Sequence, residues 1–436
     1  MSRHVERGLP LRLQTPMTSA GRQTALASVA CLASAVQYQR PMNALQIARA
    51  HERVLVRLVD VLTVPLRRKG PSATRPVRRV LLLRLERIGD LLMTLDALRD
   101  ACEAWPDARI DLAVGAWNRD LAALIPGMSR VHTLSVPWLA RHEAADPWPT
   151  LVGRARRWRR EHYDVVVNFE PDVRTNFLAW LTGAPVRVGY SSGGGGSFLT
   201  DAVPYRPSAH VSLNAREAVA RAVGTASVSR LSGRPAVRLE IPEPVREQAR
   251  ARLGASRPLV GLHVSGGRQS KQWHLERFAA VGRELASAAR ATIVLTGAPA
   301  DAAMVAEVAR HLHDLPVINA TGSLTLIELA ALLEQLDLLV SSDTGPMHMA
   351  GAVGTPVVAL FGPSDPSRYG PIGSPSRVLR VSLPCSPCGM VRQPPERCRG
   401  HVPDCMDGIA VRTVVDAALQ LLRAQEGHTP PPADPR

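Results

Sequence analysis

The chain has 436 residues, of which 45% are hydrophobic, and a formal net charge of +15 at pH 7. This length suits two α/β domains with an appendage, and no apolar run reaches the ~18 to 20 residues of a membrane-spanning helix. The positive charge favours an anionic partner such as a nucleotide or a lipid headgroup, or it reflects an Arg-rich genome. The 4% aromatic content and the lack of a recognition motif argue against a nucleic-acid partner.

Residues 1–76 differ from the rest of the chain and form a basic N-terminal extension, which we expect to be partly helical or disordered. Apolar residues within Arg40–Arg68 recur at helical spacing and predict one or two helices. Three interpretations stay open: a basic amphipathic helix on an anionic membrane face, a helix packed on its own domain, and disorder. The N-terminus has no continuous apolar signal core, so we expect a cytosolic protein.

Residues 77–240 are predicted to form a first α/β domain. Val80–Leu83 is a continuous apolar run typical of a central parallel strand, and Leu91–Trp105 has helical spacing. Asp90 lies between them, at the mouth of the expected sheet, where it would act on a ligand or cap the helix. Strand and helix patterns alternate up to residue 190, which indicates a Rossmann-like sheet. The loop Ser191–Phe198 is interpreted as a flexible linker rather than a mobile lid.

Residues 241–425 restart the same alternation and are predicted to form a second Rossmann-like domain, followed by a disordered tail at 426–436. An apolar strand ends at Ser341, and Pro346 opens a helix rich in Ala, Met and Gly. The free N–H groups of such a first turn suit a phosphate, although Asp343 or Thr344 would equally serve as helix caps. The predicted fold is α/β, with two Rossmann-like domains facing across a cleft.

Several segments in this order resemble the ADP-heptose:lipopolysaccharide heptosyltransferase family of GT-B glycosyltransferases. The markers are LLLRLERIGDLLMTLDALR, VSGGRQSKQWHLERFAAV, the long segment from SLTLIELAALL to PSDPSRYGP, and CSPC. Together they extend from about Val77 to Gln425. The resemblance implies a nucleotide-sugar donor of the ADP-heptose type and a lipid-linked or cell-envelope glycan acceptor.

Sugar transfer needs a base for the acceptor hydroxyl and positive charge for the departing diphosphate. Asp90 is our candidate base, and the resemblance implies the same role. The resemblance also implies that Lys271 and Ser265 meet the diphosphate and that Asp301, where Glu is common, lies near the ribose. Asp343, Thr344 and Gly345 supply the turn, and His348 either binds the donor or is a packed core residue.

Cysteines 385, 388, 398 and 405 form a C-x2-C pair followed by two more widely spaced residues. Four such ligands can make a structural zinc site, but we favour reduced or redox-labile thiols. The chain contains no D-x-D pair, which fits metal-independent transfer, and we expect no cofactor.

We therefore expect an inverting glycosyltransferase that moves a heptose, or a related sugar, at the inner membrane face. The alternatives are a family enzyme with another donor and acceptor, and a nucleotide-binding scaffold that has lost catalysis. Closure of the cleft would bring Asp90 and the donor together.

Overall fold

The computed structural model of this chain describes residues 50–67, 76–139, 145–224 and 236–426. They contain two six-stranded sheets, each entirely parallel. The first sheet has the order β3-β2-β1-β4-β5-β6, and the second has the order β9-β8-β7-β10-β11-β12. Both sheets therefore share the Rossmann strand order, and the fold prediction of two such domains is confirmed.

The N-terminal helix and the first domain comprise the following elements: α1 (Ala50–Thr63), β1 (Arg79–Arg84), α2 (Ile88–Leu92), α3 (Leu95–Ala104), β2 (Arg109–Gly115), α4 (Arg119–Ala122), β3 (Arg130–Leu134), α5 (Trp148–Arg157), β4 (Val165–Asn168), α6 (Val173–Leu181), β5 (Val186–Tyr190), β6 (Asp201–Val203) and α7 (Val211–Val223).

The second domain comprises α8 (Glu243–Leu253), β7 (Leu259–His263), α9 (Leu275–Ala289), β8 (Thr292–Thr296), α10 (Ala302–His311), β9 (Val317–Asn319), α11 (Leu326–Glu334), β10 (Leu338–Ser342), α12 (Gly345–Val353), β11 (Val357–Leu360), α13 (Pro366–Tyr369), β12 (Ser376–Leu379), α14 (Asp404–Asp407) and α15 (Val411–Glu426).

The central strands are apolar on both faces because helices cover both sides of each sheet. Leu81, Leu82 and Leu83 of β1 are fully buried, as are Leu339 and Val340 of β10. In both sheets the strand order reverses beside the central strand, β1 or β7, and this reversal opens a crevice at the carboxyl ends of the strands. The segments that follow β1, β7, β8 and β10 carry the predicted site residues.

The two domains contact each other through the first turns of α2 and α12. A Cβ atom added to Gly89 would lie 2.6 Å from Cδ2 of His348, and one added to Gly345 would lie 3.3 Å from Cγ2 of Ile88. The segment between the domains also bonds to both, because the Leu239 N–H donates to the Ala352 carbonyl and the Glu240 N–H to the Leu124 carbonyl. Two glycines thus permit the close approach of the two helix starts.

The single helix predicted over Leu91–Trp105 is wrong. The structure has two helices, α2 and α3, which are separated at Met93 and Thr94. The Thr94 hydroxyl donates to the Asp90 carbonyl at 2.8 Å, and its N–H donates to the Leu91 carbonyl. These bonds close the first helix after one turn, which places Asp90 inside α2 rather than ahead of a long helix.

The interpretation of Ser191–Phe198 as a flexible linker is also wrong. Most of this loop is buried, and it ends in a short 3-10 turn over Gly196–Phe198. A Cβ atom on Gly193 would fall 1.7 Å from the Pro171 carbonyl oxygen, and one on Gly194 would fall 2.0 Å from Val56. The glycines therefore serve close packing against the backbone and against α1, not flexibility.

Of the helices predicted within Arg40–Arg68, the structure describes α1, whereas residues 40–49 lie outside the described residues. The tail at 427–436 also lies outside them, and α15 continues to Glu426. The domain limits at 76, 240 and 425 stay predictions. Among the helices of the described residues, none combines the length and the apolar composition that crossing a membrane requires.

Candidate active site

A cavity of about 2220 Å³ lies between the two domains. It is lined by the segments that follow β1 and β4 of the first sheet and β7, β8 and β10 of the second. All eight predicted site residues line it: Asp90, Ser265, Lys271, Asp301, Asp343, Thr344, Gly345 and His348. The structure therefore brings together residues that are up to 258 positions apart in the sequence, since 348 − 90 = 258.

Asp90 lies in the third position of α2 with its side chain 27% exposed, so the carboxylate reaches the cavity. One of its oxygens accepts the Arg87 N–H at 3.3 Å. The other lies 3.6 Å from Nη2 of the buried Arg84. The carboxylate thus fixes the helix start and still faces the cavity, so its capping contact leaves it accessible to a ligand there.

Arg84 connects Asp90 to a second acid, Glu86. Its Nη1 lies 2.9 Å from the Glu86 carboxylate and donates to the Phe169 carbonyl at 2.6 Å, while Nε donates to the Asp90 carbonyl at 3.2 Å. Burial raises the pKa of Glu86 to about 7, against the opposing effect of Arg84. Burial and the charge of Glu86 also raise the pKa of Glu170, which accepts the Leu85 and Glu86 N–H groups.

Lys271 projects from the segment after β7 toward the turn after β10. Its Nζ lies 3.3 Å from Oδ2 of Asp343 and also donates to the Asp343 carbonyl. Burial alone would raise the pKa of Asp343, but Lys271, His348 and Ser364 outweigh it and hold that pKa well below its usual range. Asp343 is therefore an anion that fixes the lysine ammonium at the cavity wall.

His348 stands one turn into α12 and packs between the domains. Its Nε2 lies 3.7 Å from Oδ1 of Asp343, and its ring covers the backbone of Gly89. Within the described residues its buried Nδ1 has no hydrogen-bond partner. The residue is only 6% exposed, so His348 is a packed residue as well as a cavity residue.

Helix α12 begins at Gly345, one residue before the predicted Pro346, so Thr344 occupies the N-cap position and Pro346 lies in the first turn. The Thr344 hydroxyl makes no capping bond; it lies 3.0 Å from the Ser341 hydroxyl. The positive end of the helix dipole therefore faces the cavity without a side-chain cap.

Ser265, His263 and Asp301 form another part of the second-domain wall. The Ser265 hydroxyl accepts the Gly267 N–H at 3.2 Å, and Asp301 accepts the Ala298 N–H at 2.9 Å. Burial lowers the pKa of His263 to about 4, with Asp301 and a hydrogen bond to Thr296 opposing it. His263 is therefore uncharged at neutral pH.

A sequence model of glycosyltransferase family 9 (heptosyltransferase) matches residues 153–397, more than half of the chain. The chain belongs to glycosyltransferase family 9. It is thus a glycosyltransferase, as the sequence segments predicted.

Two relatives of this family 9 glycosyltransferase match it over most of their length. Lipopolysaccharide core heptosyltransferase OpsX of Haemophilus influenzae is 23% identical over 317 residues, which are 71% of this chain and 86% of that protein. Lipopolysaccharide heptosyltransferase 1 of Pseudomonas aeruginosa is 28% identical over 328 residues, which are also 71% of this chain and 86% of that protein.

Solved structures share the fold of this family 9 enzyme. The glycosyl transferase family 9 protein from Veillonella parvula has a TM-score of 0.66 at 25% identity and covers 81% of this chain and 100% of that one. Escherichia coli ADP-heptose lps heptosyltransferase II has a TM-score of 0.65 at 20% identity and covers 80% of this chain and 99% of that one.

The cysteines of this family 9 member form no disulfide bond in the described residues. The described residues also contain no group of three or more His, Cys, Asp or Glu side chains placed to hold a metal ion. Burial, followed by the charges of Cys388, Cys398 and Cys385, raises the pKa of the Cys405 thiol to about 12. Cys405 is therefore a protonated thiol at neutral pH.

Sequence reasoning missed several residues of the cavity. Arg87 lies over the ring of Trp117 at 4.9 Å, and Arg174 lies over that of Trp138 at 4.8 Å. These cation–π contacts line the first-domain side, which is opposite Lys271. Glu86 and Arg87 lie in the short segment between the predicted strand Val80–Leu83 and Asp90, so their position after β1 was a usable signal. Nothing local marks Trp138 or Arg174.

Proposed function

We propose that this chain is an inverting, metal-independent glycosyltransferase that moves a heptose, or a related sugar, from an ADP-sugar. The acceptor is the lipopolysaccharide core or another cell-envelope glycan. The relatives named above are lipopolysaccharide heptosyltransferases. A further structure with this fold is Escherichia coli heptosyltransferase WaaC with ADP, with a TM-score of 0.56 at 20% identity, covering 69% of this chain and 93% of that one.

The observation that carries this proposal is that Asp90 from one domain and Lys271 from the other line the same cavity. The Asp90 carboxylate takes the proton of the acceptor hydroxyl as that oxygen bonds to the anomeric carbon of the sugar. The bond from this carbon to the diphosphate breaks, and its electron pair leaves with the diphosphate. One displacement of this kind inverts the configuration at the carbon.

The second domain supplies the positive charge for the leaving group. The Lys271 ammonium, held by Asp343, and the amide end of α12 at Gly345 face the region where the diphosphate charge develops. The Lys271 cation and the N-terminus of α12 would stabilise the diphosphate charge, as a divalent ion does in other glycosyltransferases. Thr344 and Ser265 would add hydroxyl donors on the same side.

The remaining second-domain residues would bind the rest of the donor. Asp301 lies in the segment after β8, beside the neutral His263, and is proposed to meet the ribose. His348 contacts both Asp343 and Gly89 and is proposed to hold the donor next to the first domain. We place the reaction in the cytoplasm, with peripheral contact to the inner membrane, because a lipid-linked acceptor would be presented there.

A panel of nucleotide sugars, screened for thermal stabilisation and for transfer with wild type and Asp90→Asn, tests the proposal. We expect an ADP-sugar to raise the Tm of both proteins, while transfer by the variant falls by about 10² to 10⁴. Asp120→Asn, an exposed carboxylate on α4, is the matched control and should transfer normally.

The competing functions give different results in this screen. Stabilisation by another nucleotide sugar, with transfer that still depends on Asp90, would identify a family enzyme with a different donor. Nucleotide binding without transfer in wild type would favour an inactive scaffold. Unchanged transfer by Asp90→Asn would remove Asp90 from the role of base.

A further inference from the structure

Helix α1 turns its apolar side away from the protein. At 100° per residue, five of its aliphatic residues share one side of the helix. These residues are 54–69% exposed and define the outer face of α1: Val54, Leu55, Leu58, Val61 and Leu62. By contrast, α9 buries Phe278, Val281 and Leu285 completely. A contiguous exposed apolar face of this kind marks an interaction surface.

Contacts on the opposite side fix this orientation. The Gly195 N–H donates to the Asp60 carboxylate at 2.6 Å, and Val56, only 8% exposed, packs where Gly194 has no side chain. Rotating the helix to bury the leucines would break this bond and bring Asp60 to the surface. The five aliphatic residues are therefore outward because the side of α1 that carries Val56 and Asp60 is the one that binds the domain.

Helix α1 borders the active-site cavity, and Leu55 belongs both to its outer face and to the cavity lining. Leu55, Val56 and Val59 line the same cavity as Asp90. Trp148, which is 42% exposed, and Trp138 also line it, and their rings stack at 5.2 Å. Exposed tryptophan is typical of the boundary between apolar and aqueous phases.

The sequence around this face is strongly basic. Arg57 and Arg67 are exposed on and just beyond the helix. The 13 residues 67–79 include six Lys or Arg and no acid, and residues 1–49 include six Arg and one Glu. An aliphatic helix face flanked by such charge complements a surface that is apolar beneath an anionic layer.

We propose that the outer face of α1 docks into the surface of a membrane with anionic headgroups and so places the mouth of the cavity at that surface. The helix has 14 residues and is therefore about 21 Å long, shorter than the ~30 Å hydrocarbon core, so it lies along the interface. The docking itself does not depend on the donor or the acceptor. Only its use, delivery of a lipid-linked acceptor to Asp90, rests on the proposed function.

The full chain tests this docking in co-sedimentation with vesicles of phosphatidylglycerol and phosphatidylethanolamine and, separately, of phosphatidylcholine alone. We expect binding to the anionic vesicles, at least ~10-fold weaker binding to the neutral ones, and at least ~10-fold weaker anionic binding by Leu58→Asp/Leu62→Asp. Leu213→Asp, an exposed leucine on α7, is the matched control and should bind as wild type does.

Hydrogen exchange of the 50–66 backbone, measured with and without vesicles, reports the place of contact. Slower exchange in α1 only when anionic vesicles are present supports docking. Equal vesicle binding by wild type and Leu58→Asp/Leu62→Asp would overturn it. Docking would also be overturned if amide exchange in α1 were already slow without lipid and did not change when vesicles are added. The same holds if light scattering showed a dimer that Leu58→Asp/Leu62→Asp dissociates while vesicle binding persists.

A transfer assay separates this inference from the proposed function. Leu58→Asp/Leu62→Asp should transfer normally to a water-soluble acceptor and lose activity on the same acceptor in vesicles. If wild type transfers to neither, the proposed function fails, while the vesicle binding still decides the docking.

Discussion

The ammonium group of Lys271 lies 3.3 Å from Oδ2 of Asp343, and both side chains are more than four-fifths buried. A buried lysine is unusual unless an anion compensates it. Here the pair places a cation at the cavity wall before any ligand is bound, so a diphosphate would meet a charge that is already oriented. The pair is thus a structural contact and a candidate part of the catalytic machinery.

Replacing Lys271 by Met tests both roles. Loss of the cation should lower kcat by about 10² to 10³, the usual cost of removing one donor to a developing anion. It should also lower the Tm, because a buried Asp343 carboxylate without its partner destabilises a fold by about 3–5 kcal/mol. Transfer kinetics and thermal unfolding measure the two effects.

The double variant Lys271→Met/Asp343→Asn separates them. Removing the carboxylate as well should recover most of the Tm without recovering transfer. Recovery of both would mean that Lys271 acts only through stability.

The contact between Gly89 and His348 should tolerate no extra methyl group. In Gly89→Ala the new Cβ would lie 2.6 Å from Cδ2 of a His348 ring that is itself buried, so overpacking should cost about 1–3 kcal/mol. Urea unfolding of the variant should show a lower midpoint, and the contact between the first turns of α2 and α12 should be disturbed.

Gly153→Ala is the matched control, because a Cβ there has no neighbour within 4 Å and the residue lies in α5. It should stabilise the protein slightly, as Ala does in a helix. Adding His348→Ala to Gly89→Ala should restore stability; an additive loss would show that the ring is not the obstacle.

The sequence predicted both sheets because their strands are continuous apolar runs separated by helical patterns. It also located Asp90, Lys271 and the turn at Asp343, since each follows a central strand and parallel strands end at one edge. The outer strands β6 and β12 were missed, because each begins with polar or charged residues and neither is a continuous apolar run.

Other features depend on hydrogen bonds, packing and burial that the residue pattern does not show. The break between α2 and α3 depends on hydrogen bonds made by Thr94 to Asp90 and Leu91. A β-branched polar residue inside a helical pattern does not by itself predict such bonds. The composition of the glycine run after Ser192 predicts a linker, because composition does not show that Pro171 and Val56 pack against these glycines. The pKa of Glu86 depends on burial, which only the fold supplies.

Asp60→Ala should release α1 from the first domain. The carboxylate accepts the Gly195 N–H at 2.6 Å, and a charged hydrogen bond of this kind contributes about 1.5–3 kcal/mol. Amide exchange across 50–66 should therefore accelerate by about tenfold or more, while exchange in β1 stays unchanged. Asp60→Asn keeps an acceptor oxygen and should change much less; equal exchange in all three proteins would show that other contacts hold the helix.

Glu86 should make the stability of the protein fall as the pH rises toward neutrality. Its folded pKa is raised to about 7 from 4.5, mainly by burial, so the folded state binds its proton more tightly than the unfolded chain does. The stabilisation is therefore fully present below pH 4.5 and is lost as the pH rises through 7. For one proton the slope is at most about 1.4 kcal/mol per pH unit.

Glu86→Gln should flatten this slope, because the amide stays neutral and its oxygen can still accept from Arg84, which lies 2.9 Å from the native carboxylate. Urea midpoints of wild type and variant, compared from pH 4.5 to 8, should diverge with rising pH and leave the variant more stable above pH 7. Glu243→Gln is the control: Arg246 and Arg250 lower the pKa of that exposed acid, so its effect falls below this window. Parallel curves for wild type and Glu86→Gln would show that Glu86 ionises in the folded state as it does in the unfolded chain, and that Arg84 neutralises it fully.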